Sequence, residues 1–120
     1  MGNQILLVGL GGAAGSMLRY LLQQGMNQQQ FPYGTLFVNV AGCFLIGMLW
    51  ALSIRGMNGQ WRTLMVAGFC GGFTTFSAFT LEGIMMLKTD RVMTFLIYTS
   101  LSVVTGMIAT YAGFKLLKTW

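Results

Sequence analysis

The sequence has few of the side chains that carry acid–base and metal-binding chemistry. Its 120 residues include no histidine, one aspartate (Asp90) and one glutamate (Glu82), and only 8% of them are charged. General acid–base catalysis, activated nucleophiles and transition-metal sites each need several such groups close together. The composition therefore excludes most enzymatic mechanisms, and we predict that the protein is not an enzyme.

Cysteine is too scarce, and basic residues are too dispersed, to suggest a secreted or a nucleic-acid-binding protein. The two cysteines, Cys43 and Cys70, lie inside apolar runs, where we expect small packing residues rather than a disulfide. The seven basic residues are scattered and mostly flank the apolar runs, so we expect no nucleic-acid partner. No basic group precedes the first apolar run, and we expect no cleavable signal peptide.

Apolar residues dominate the composition instead. Hydrophobic residues make up 55% of the chain, and the mean hydropathy is +0.68. Four apolar runs, each long enough to cross a bilayer as a helix, cover residues of about 5–22, 34–54, 63–87 and 92–114. We predict an all-α integral membrane protein, with a single four-helix transmembrane domain over residues 1–120 that contacts the lipid bilayer.

The third run contains a segment that disfavours a continuous helix. Gly71 and Gly72 lack side chains, and Thr74 and Thr75 are β-branched, with hydroxyls that compete for backbone partners. Non-helical backbone is tolerated at membrane depth only where protein buries it or a polar cavity receives it. We therefore predict a broken third helix that forms an ion site.

Several residues in the runs have two possible interpretations. Phe76 and Phe79, three positions apart, either pack in the core or line the ion site. Asn39 either links two helices or donates into a pore. Arg19 either anchors at the headgroups, or it holds a helix end or attracts anions to an opening. In the fourth run, a row of mostly hydroxyl-bearing residues recurs at every fourth position. Its hydroxyls either hydrogen-bond to their own helix or form a polar track. The row consists of Thr94, Tyr98, Ser102, Gly106 and Thr110.

The first run also contains a glycine pattern that occurs in nucleotide-binding proteins. Gly9, Gly11 and Ala14 match the pattern G-x-G-x-x-A, but the acidic residue that such sites place about 20 positions later is absent. We therefore reject a nucleotide site. Gly11 and Gly15 are four positions apart and instead predict a face on which another helix packs closely.

The basic residues leave the orientation in the membrane almost undetermined. Four helices would place both chain ends on one side, and the basic groups divide into Arg55, Arg62, Lys115 and Lys118 on that side and Arg19, Lys88 and Arg91 on the other. This small difference hardly selects an orientation by the positive-inside rule. We predict dual topology, and also an oligomer, because four short helices cannot easily enclose a polar path.

Three separated motifs together resemble one protein family. They are Gly12-Ala13-Ala14-Gly15 with Arg19-Tyr20, Gly34-Thr35-Leu36-Phe37-Val38-Asn39, and the run from Gly68 through Phe79 to Glu82. In length, number of spans and order of motifs, the whole chain closely resembles the small bacterial fluoride channels of the Fluc or CrcB family. The resemblance implies passive fluoride export across the bacterial inner membrane by an antiparallel, dual-topology homodimer with two pores at its interface.

The resemblance also implies roles for individual residues. A structural Na⁺ at the dimer centre would be held by the backbone carbonyls of Gly71 and Thr74. The implied anion pathway consists of Asn39, Phe76, Phe79, Tyr98 and Ser102. The implied supporting residues are Arg19, Thr35, Thr75, Ser77 and Glu82. The chain departs from the family pattern at Gly106, where relatives often have serine, and more mildly at Phe73 and Ala78.

Two other functions are compatible with parts of the sequence. A transporter similar to the small multidrug exporters would also have four spans, but it needs a carboxylate in its first span, and this first span has none. A non-conducting membrane subunit would use Asn39 and the hydroxyl row only to join helices. Anion flux through the purified protein separates a channel from such a subunit.

Overall fold

The computed structural model describes residues 2–117, and most of them are helical. In chain order, the elements are α1 (Gly2–Met26), α2 (Tyr33–Ile54), α3 (Gly59–Arg62), π1 (Thr63–Cys70), α4 (Gly71–Phe73), α5 (Ser77–Lys88) and α6 (Val92–Leu117). The π1 segment is a π-helix, a rare winding in which N–H groups bond five residues back. The loop between α1 and α2 is closed by an antiparallel bridge between Asn27 and Pro32.

Four helical stretches in the described part of the chain are long and apolar enough to cross a membrane. They are Gly2–Met26, Tyr33–Ile54, Gly59–Lys88 and Val92–Leu117, with mean hydropathies between 1.5 and 2.0 in their apolar windows. The prediction of an all-α protein with four candidate membrane spans is therefore confirmed. The third stretch combines α3, π1, α4 and α5.

The first helix is longer than its apolar run. Helix α1 continues to Met26, about one turn beyond the end expected from hydropathy. Its last turns include Gln23, whose Nε2 donates to the Thr35 hydroxyl at 3.0 Å. The helix therefore extends beyond the apolar run, and this polar side chain has a partner inside the protein.

The third candidate span begins earlier than its apolar run. Asn58 caps α3, since its Oδ1 accepts the Gln60 N–H at 2.7 Å. The helix therefore starts at Gly59, four residues before the predicted start at Thr63. Hydropathy locates the apolar part of a span, whereas capping contacts decide where the helix begins.

Glycines bring three pairs of helical elements into backbone contact. A Cβ atom added to Gly11 or Gly15 would overlap a carbonyl oxygen of π1, and one added to Gly72 would lie 2.5 Å from a carbonyl oxygen of α1. A Cβ atom at Gly47 would overlap a carbonyl oxygen of α6, and one at Gly113 would overlap a carbonyl oxygen of α2. These contacts hold α1 against π1 and α4, and α2 against α6.

Large apolar side chains cover much of the outside of the chain. Leu10 and Met107, for example, expose 67% and 71% of their surface, and Phe76 exposes 76%. The fully buried side chains include Thr35 and Tyr98, each at 0% exposure. Extensive exposed apolar surface is stable only against lipid or another protein surface. The exposed faces of these helices therefore fit a membrane environment.

Basic side chains bind carbonyl oxygens near the ends of the spans. Arg55 Nη1 donates to the Leu117 carbonyl oxygen at 2.9 Å, and Arg91 Nη1 donates to the Gln30 carbonyl oxygen at 2.7 Å. Both contacts place a guanidinium where a helix or loop would meet the headgroup region. Lys118, which belongs to the charge comparison above, lies outside the residues that the structure describes.

Candidate ion-binding site

The helical path of the third candidate span stops after Phe73 and resumes at Ser77. Thr74 has extended backbone, with φ −89° and ψ 158°. Its N–H and its hydroxyl both donate to the Cys70 carbonyl oxygen, at 3.1 and 2.9 Å. Thr74 therefore completes the hydrogen bonds of the turn before it while its backbone leaves the helical conformation.

Asn39 on α2 binds the next residue through both groups of its amide. Its Oδ1 accepts the Thr75 N–H at 2.8 Å, and its Nδ2 donates to the Thr75 carbonyl oxygen at 2.9 Å. The Thr75 hydroxyl accepts the Ala78 N–H at 3.2 Å and lies 3.4 Å from the Ser77 hydroxyl. Asn39 and Thr75 thus form one hydrogen-bonded unit beside the start of α5.

Arg19 on α1 contacts the turn that precedes the interruption. Its Nε donates to the Gly72 carbonyl oxygen at 3.0 Å, and its Nη1 donates to Gln23 Oε1 at 3.3 Å. A cation near the last carbonyl oxygens of a helix is stabilising because those oxygens carry partial negative charge. This half-buried guanidinium is therefore placed to hold the end of α4.

The hydrogen bonds at residues 71–78 fit a cation held by carbonyl oxygens. In a continuous helix, the Gly71 oxygen would accept the Thr75 N–H, and the Thr74 oxygen would accept the Ala78 N–H. Here Asn39 Oδ1 and Thr75 Oγ1 accept those two N–H groups instead. Gly71 and Thr74 therefore keep carbonyl oxygens without their helical donors. Unwound carbonyls of this kind coordinate Na⁺ in interrupted membrane helices.

A line of aromatic rings leads away from residues 74–76. The centroids of Phe76 and Phe79 are 5.9 Å apart, and those of Phe79 and Tyr98 are 5.2 Å apart. Phe31 contacts Tyr98 edge-on, with centroids separated by 5.3 Å. Phe73 belongs to a different environment, since it is buried at 5% exposure. The edge of an aromatic ring carries partial positive charge, so rings such as these can face an anion edge-on.

Glu82 gathers three hydrogen-bond donors at the Tyr98 end of this line. Its carboxylate accepts from the Thr35 hydroxyl at 2.7 Å, from the Tyr98 hydroxyl at 2.8 Å and from Asn27 Nδ2 at 3.3 Å. Hydrogen bonds to a carboxylate are stronger than those between neutral groups. The cluster therefore fixes the position of the Tyr98 ring relative to Phe79.

Gln23 and Asn27 both donate to the Thr35 hydroxyl, at 3.0 and 3.4 Å, and neither has a predicted role from the sequence. Both amides follow the first apolar run, and hydropathy assigns such residues no role. Arg19, Gln23 and Asn27 are each four positions apart, and residues with this spacing lie on one face of a helix. That spacing was the signal that could have found them.

The hydroxyl row of α6 divides among several kinds of contact. The Tyr98 hydroxyl binds Glu82, whereas the Thr110 hydroxyl donates to a carbonyl of its own helix at 3.1 Å. The Ser102 hydroxyl oxygen is buried and has no hydrogen-bond partner among residues 2–117. Gly106 is the one position of this row without a hydroxyl. A Cβ atom there would lie 3.4 Å from Cys43 Sγ, so an α2 side chain lies beside this position.

Two open cavities border the predicted pathway residues. The first has a volume of about 330 Å³, and its lining includes Asn39, Gly71, Thr74, Thr75 and Phe76. The second has a volume of about 850 Å³, and its lining includes Ser102, Gly106 and Thr110. Cys43 and Ile46 belong to both linings. The structure thus brings Asn39 and Phe76 to one cavity and Ser102 to the neighbouring one.

Four apolar helices that carry polar groups at membrane depth define a multi-pass membrane protein. The polar groups are concentrated at the interrupted segment and around Glu82. Intramembrane polar groups of this kind commonly mark the path of an ion or substrate.

The chain belongs to the CrcB family, because the family model described as "CrcB-like protein, Camphor Resistance (CrcB)" matches residues 6–114. A relative from Rhizobium meliloti (strain 1021), named "Fluoride-specific ion channel FluC", is 46% identical over 97% of both chains. A relative of the same name from Leptospira interrogans is 45% identical and covers 97% of this chain and 95% of its own. The resemblance drawn from the three motifs is confirmed. Since this is a family of ion channels, the prediction that the protein is not an enzyme is also confirmed.

Proposed function

We propose that this protein is a fluoride-selective channel through which cytoplasmic fluoride leaves the cell passively across the bacterial inner membrane. Its family and the names of its relatives support fluoride as the ion. The observation that carries the proposal is the line from Asn39 through Phe76 and Phe79 to Tyr98. Along this line lie an amide, two phenylalanine rings and the Tyr98 ring, whose hydroxyl donates to Glu82.

These groups suit a small, tightly hydrated anion. A selective pore must replace the water around its ion with protein groups of the right charge. Asn39 Nδ2 has two N–H groups and gives one to the Thr75 carbonyl, so the second is available to an anion. The buried Ser102 hydroxyl has no partner among residues 2–117 and can also donate. Phe76 and Phe79 add positive ring edges.

We also propose that the working unit is an antiparallel homodimer with two pores at its interface. Phe76 is 76% exposed in the single chain, and the cavity beside it is open. A second copy would cover this pathway residue and close the cavity. The nearly even division of basic residues supports subunits inserted in both orientations.

A structural Na⁺ at the centre of the dimer would be held by the Gly71 and Thr74 carbonyl oxygens of both subunits. When bound, it would supply a fixed positive charge that offsets the cost of an anion at membrane depth. Arg19 would hold the end of α4 through the Gly72 oxygen. Thr35 and Glu82 would fix Tyr98 in the pathway, and Thr75 and Ser77 would shape the start of α5.

The first test is fluoride efflux from liposomes that contain only the purified protein. We expect efflux of fluoride but not of chloride, without any need for a proton gradient, because the pathway is rich in donors and its first span has no coupling carboxylate. Efflux equal to that of protein-free liposomes would indicate a non-conducting subunit. Fluoride accumulation driven by a pH gradient at zero voltage, with HF leak excluded, would indicate fluoride–proton exchange.

The second test maps the two orientations. A tag at either chain end should be labelled on both sides of the membrane in a population that conducts fluoride. Lysines at Gln28 and Gln29, in the α1–α2 loop, should shift the population toward a cytoplasmic location of that loop. A functional population labelled on one side only would contradict dual topology.

A further inference from the structure

The backbone between Thr74 and Ala78 has hydrogen-bonding groups that could complete a helix but do not. If the helix continued, the Thr75 N–H would donate to the Gly71 oxygen and the Ala78 N–H would donate to the Thr74 oxygen. Both donate to side-chain oxygens instead, at 2.8 Å to Asn39 and at 3.2 Å to the Thr75 hydroxyl. Side chains that capture backbone N–H groups compete directly with helix formation.

Asn39 captures its N–H group in a geometry that fixes the amide. The Thr75 N–H can only donate and the Thr75 carbonyl can only accept, so Asn39 Oδ1 must face the first and Nδ2 the second. The two bonds clamp one residue of the third span to α2, 36 positions earlier in the chain. Gly42, one turn after Asn39 on α2, has no side chain where the Thr74 methyl group packs.

We infer that Asn39 and Thr75 are the positioning residues of the cation site, because their side chains hold away the N–H groups that would otherwise occupy the Gly71 and Thr74 oxygens. Neither side chain is a cation ligand in this arrangement. The inference rests on the proposed function, in which those two oxygens hold Na⁺. It also gives Asn39 a double role, since its amide maintains the cation site and the residue lines the first cavity together with Phe76.

Ordinary helix–helix linkage by Asn39 predicts something different. A linking amide stabilises the fold in every salt, so its removal would lower the melting temperature equally in Na⁺ and in a large organic cation. A positioning residue changes the response to Na⁺ itself, because a ligand that binds only the folded state raises the melting temperature with its concentration.

The experiment measures the melting temperature of the purified full-length protein at increasing Na⁺, with N-methylglucamine keeping the ionic strength constant. We expect wild type to be stabilised by Na⁺ and Asn39→Leu to lose that shift, equivalent to at least a tenfold weaker apparent Na⁺ affinity. Thr75→Val, which removes only the acceptor of the Ala78 N–H, should weaken the shift, and Thr75→Ser should restore it. Thr80→Val is the matched control, because the Thr80 hydroxyl bonds a carbonyl within α5 and should leave the shift unchanged.

Each outcome bears on the inference separately from the proposed function. Absence of a Na⁺ shift in wild type, or an undiminished shift in Asn39→Leu, would overturn the inference. If Asn39→Leu does not fold, an equal Na⁺ shift in Thr75→Val and Thr75→Ser would overturn it. Loss of fluoride efflux in Asn39→Leu with the Na⁺ shift retained would leave Asn39 as a residue of the anion path alone. If liposomes that contain the wild-type protein show no fluoride efflux, the proposed function is contradicted instead. The Na⁺-dependent melting temperatures of the variants would still test the positioning roles of Asn39 and Thr75.

Discussion

Replacement of Phe76 or Phe79 by isoleucine is expected to reduce fluoride efflux by about tenfold or more, which corresponds to about 1.4 kcal/mol at the rate-limiting barrier. Isoleucine keeps most of the apolar bulk but has no positive ring edge. The two rings lie 5.9 Å apart next to the interrupted segment, and Phe79 also contacts Tyr98. Efflux from liposomes with matched protein content measures the loss, and size-exclusion chromatography checks assembly.

Phe73→Ile provides the control for this pair. Phe73 is 5% exposed and stacks on Phe69 with centroids 5.5 Å apart, away from the ring line. Its replacement should lower the melting temperature, whereas efflux per folded protein should change little, because volume-conserving core changes usually cost less than about 1.5 kcal/mol. Normal efflux in both Phe76→Ile and Phe79→Ile would show that the two rings only pack in the core. Asn39 and the α6 hydroxyls would then remain as the candidate pathway.

Gly72→Ala is expected to disrupt the packing of α1 against α4 and to abolish most fluoride efflux. A Cβ atom at this position would lie 2.5 Å from the Gly12 carbonyl oxygen and 3.0 Å from the Gly12 Cα, so the two backbones must separate. Overpacking of this kind costs about 1–3 kcal/mol or more. The displacement would also disturb the Arg19 contact to the Gly72 oxygen. Melting temperature and efflux should fall together.

The adjacent Gly71→Ala separates packing from helix formation. The nearest atom to an added Cβ is the Val66 carbonyl oxygen at 4.0 Å, and the Gly71 backbone is already helical, with φ −61° and ψ −38°. Alanine there should be neutral or stabilising by about 0.5–1 kcal/mol. Replacing both Gly71 and Gly72 by alanine would therefore act mainly through Gly72. Equal damage from both single changes would show that helix continuity, rather than close packing, governs this segment.

Contacts across the fold explain why the sequence could not assign every residue. Asn39 and Thr75 are 36 positions apart, and Arg19 and Gly72 are 53 positions apart. The sequence suggested two uses for Asn39 and two for Arg19, because a polar side chain in an apolar run must find a partner but does not identify it. The same limit applies to Gln23 and Asn27, whose role depends on Thr35 and Glu82 reaching the end of α1.

The sequence alone determined the membrane class, the four apolar spans and the family. Each depends on properties that are local along the chain, namely hydropathy over about 20 residues, glycine spacing and the order of short motifs. The tertiary structure alone decided that Asn39 and the Thr75 hydroxyl accept the N–H groups of residues 75 and 78, which leaves the Gly71 and Thr74 oxygens without helical donors. The Thr75 hydroxyl reaches the Ala78 N–H from three residues away on the same span, whereas the Asn39 amide reaches the Thr75 N–H only because α2 packs beside this segment.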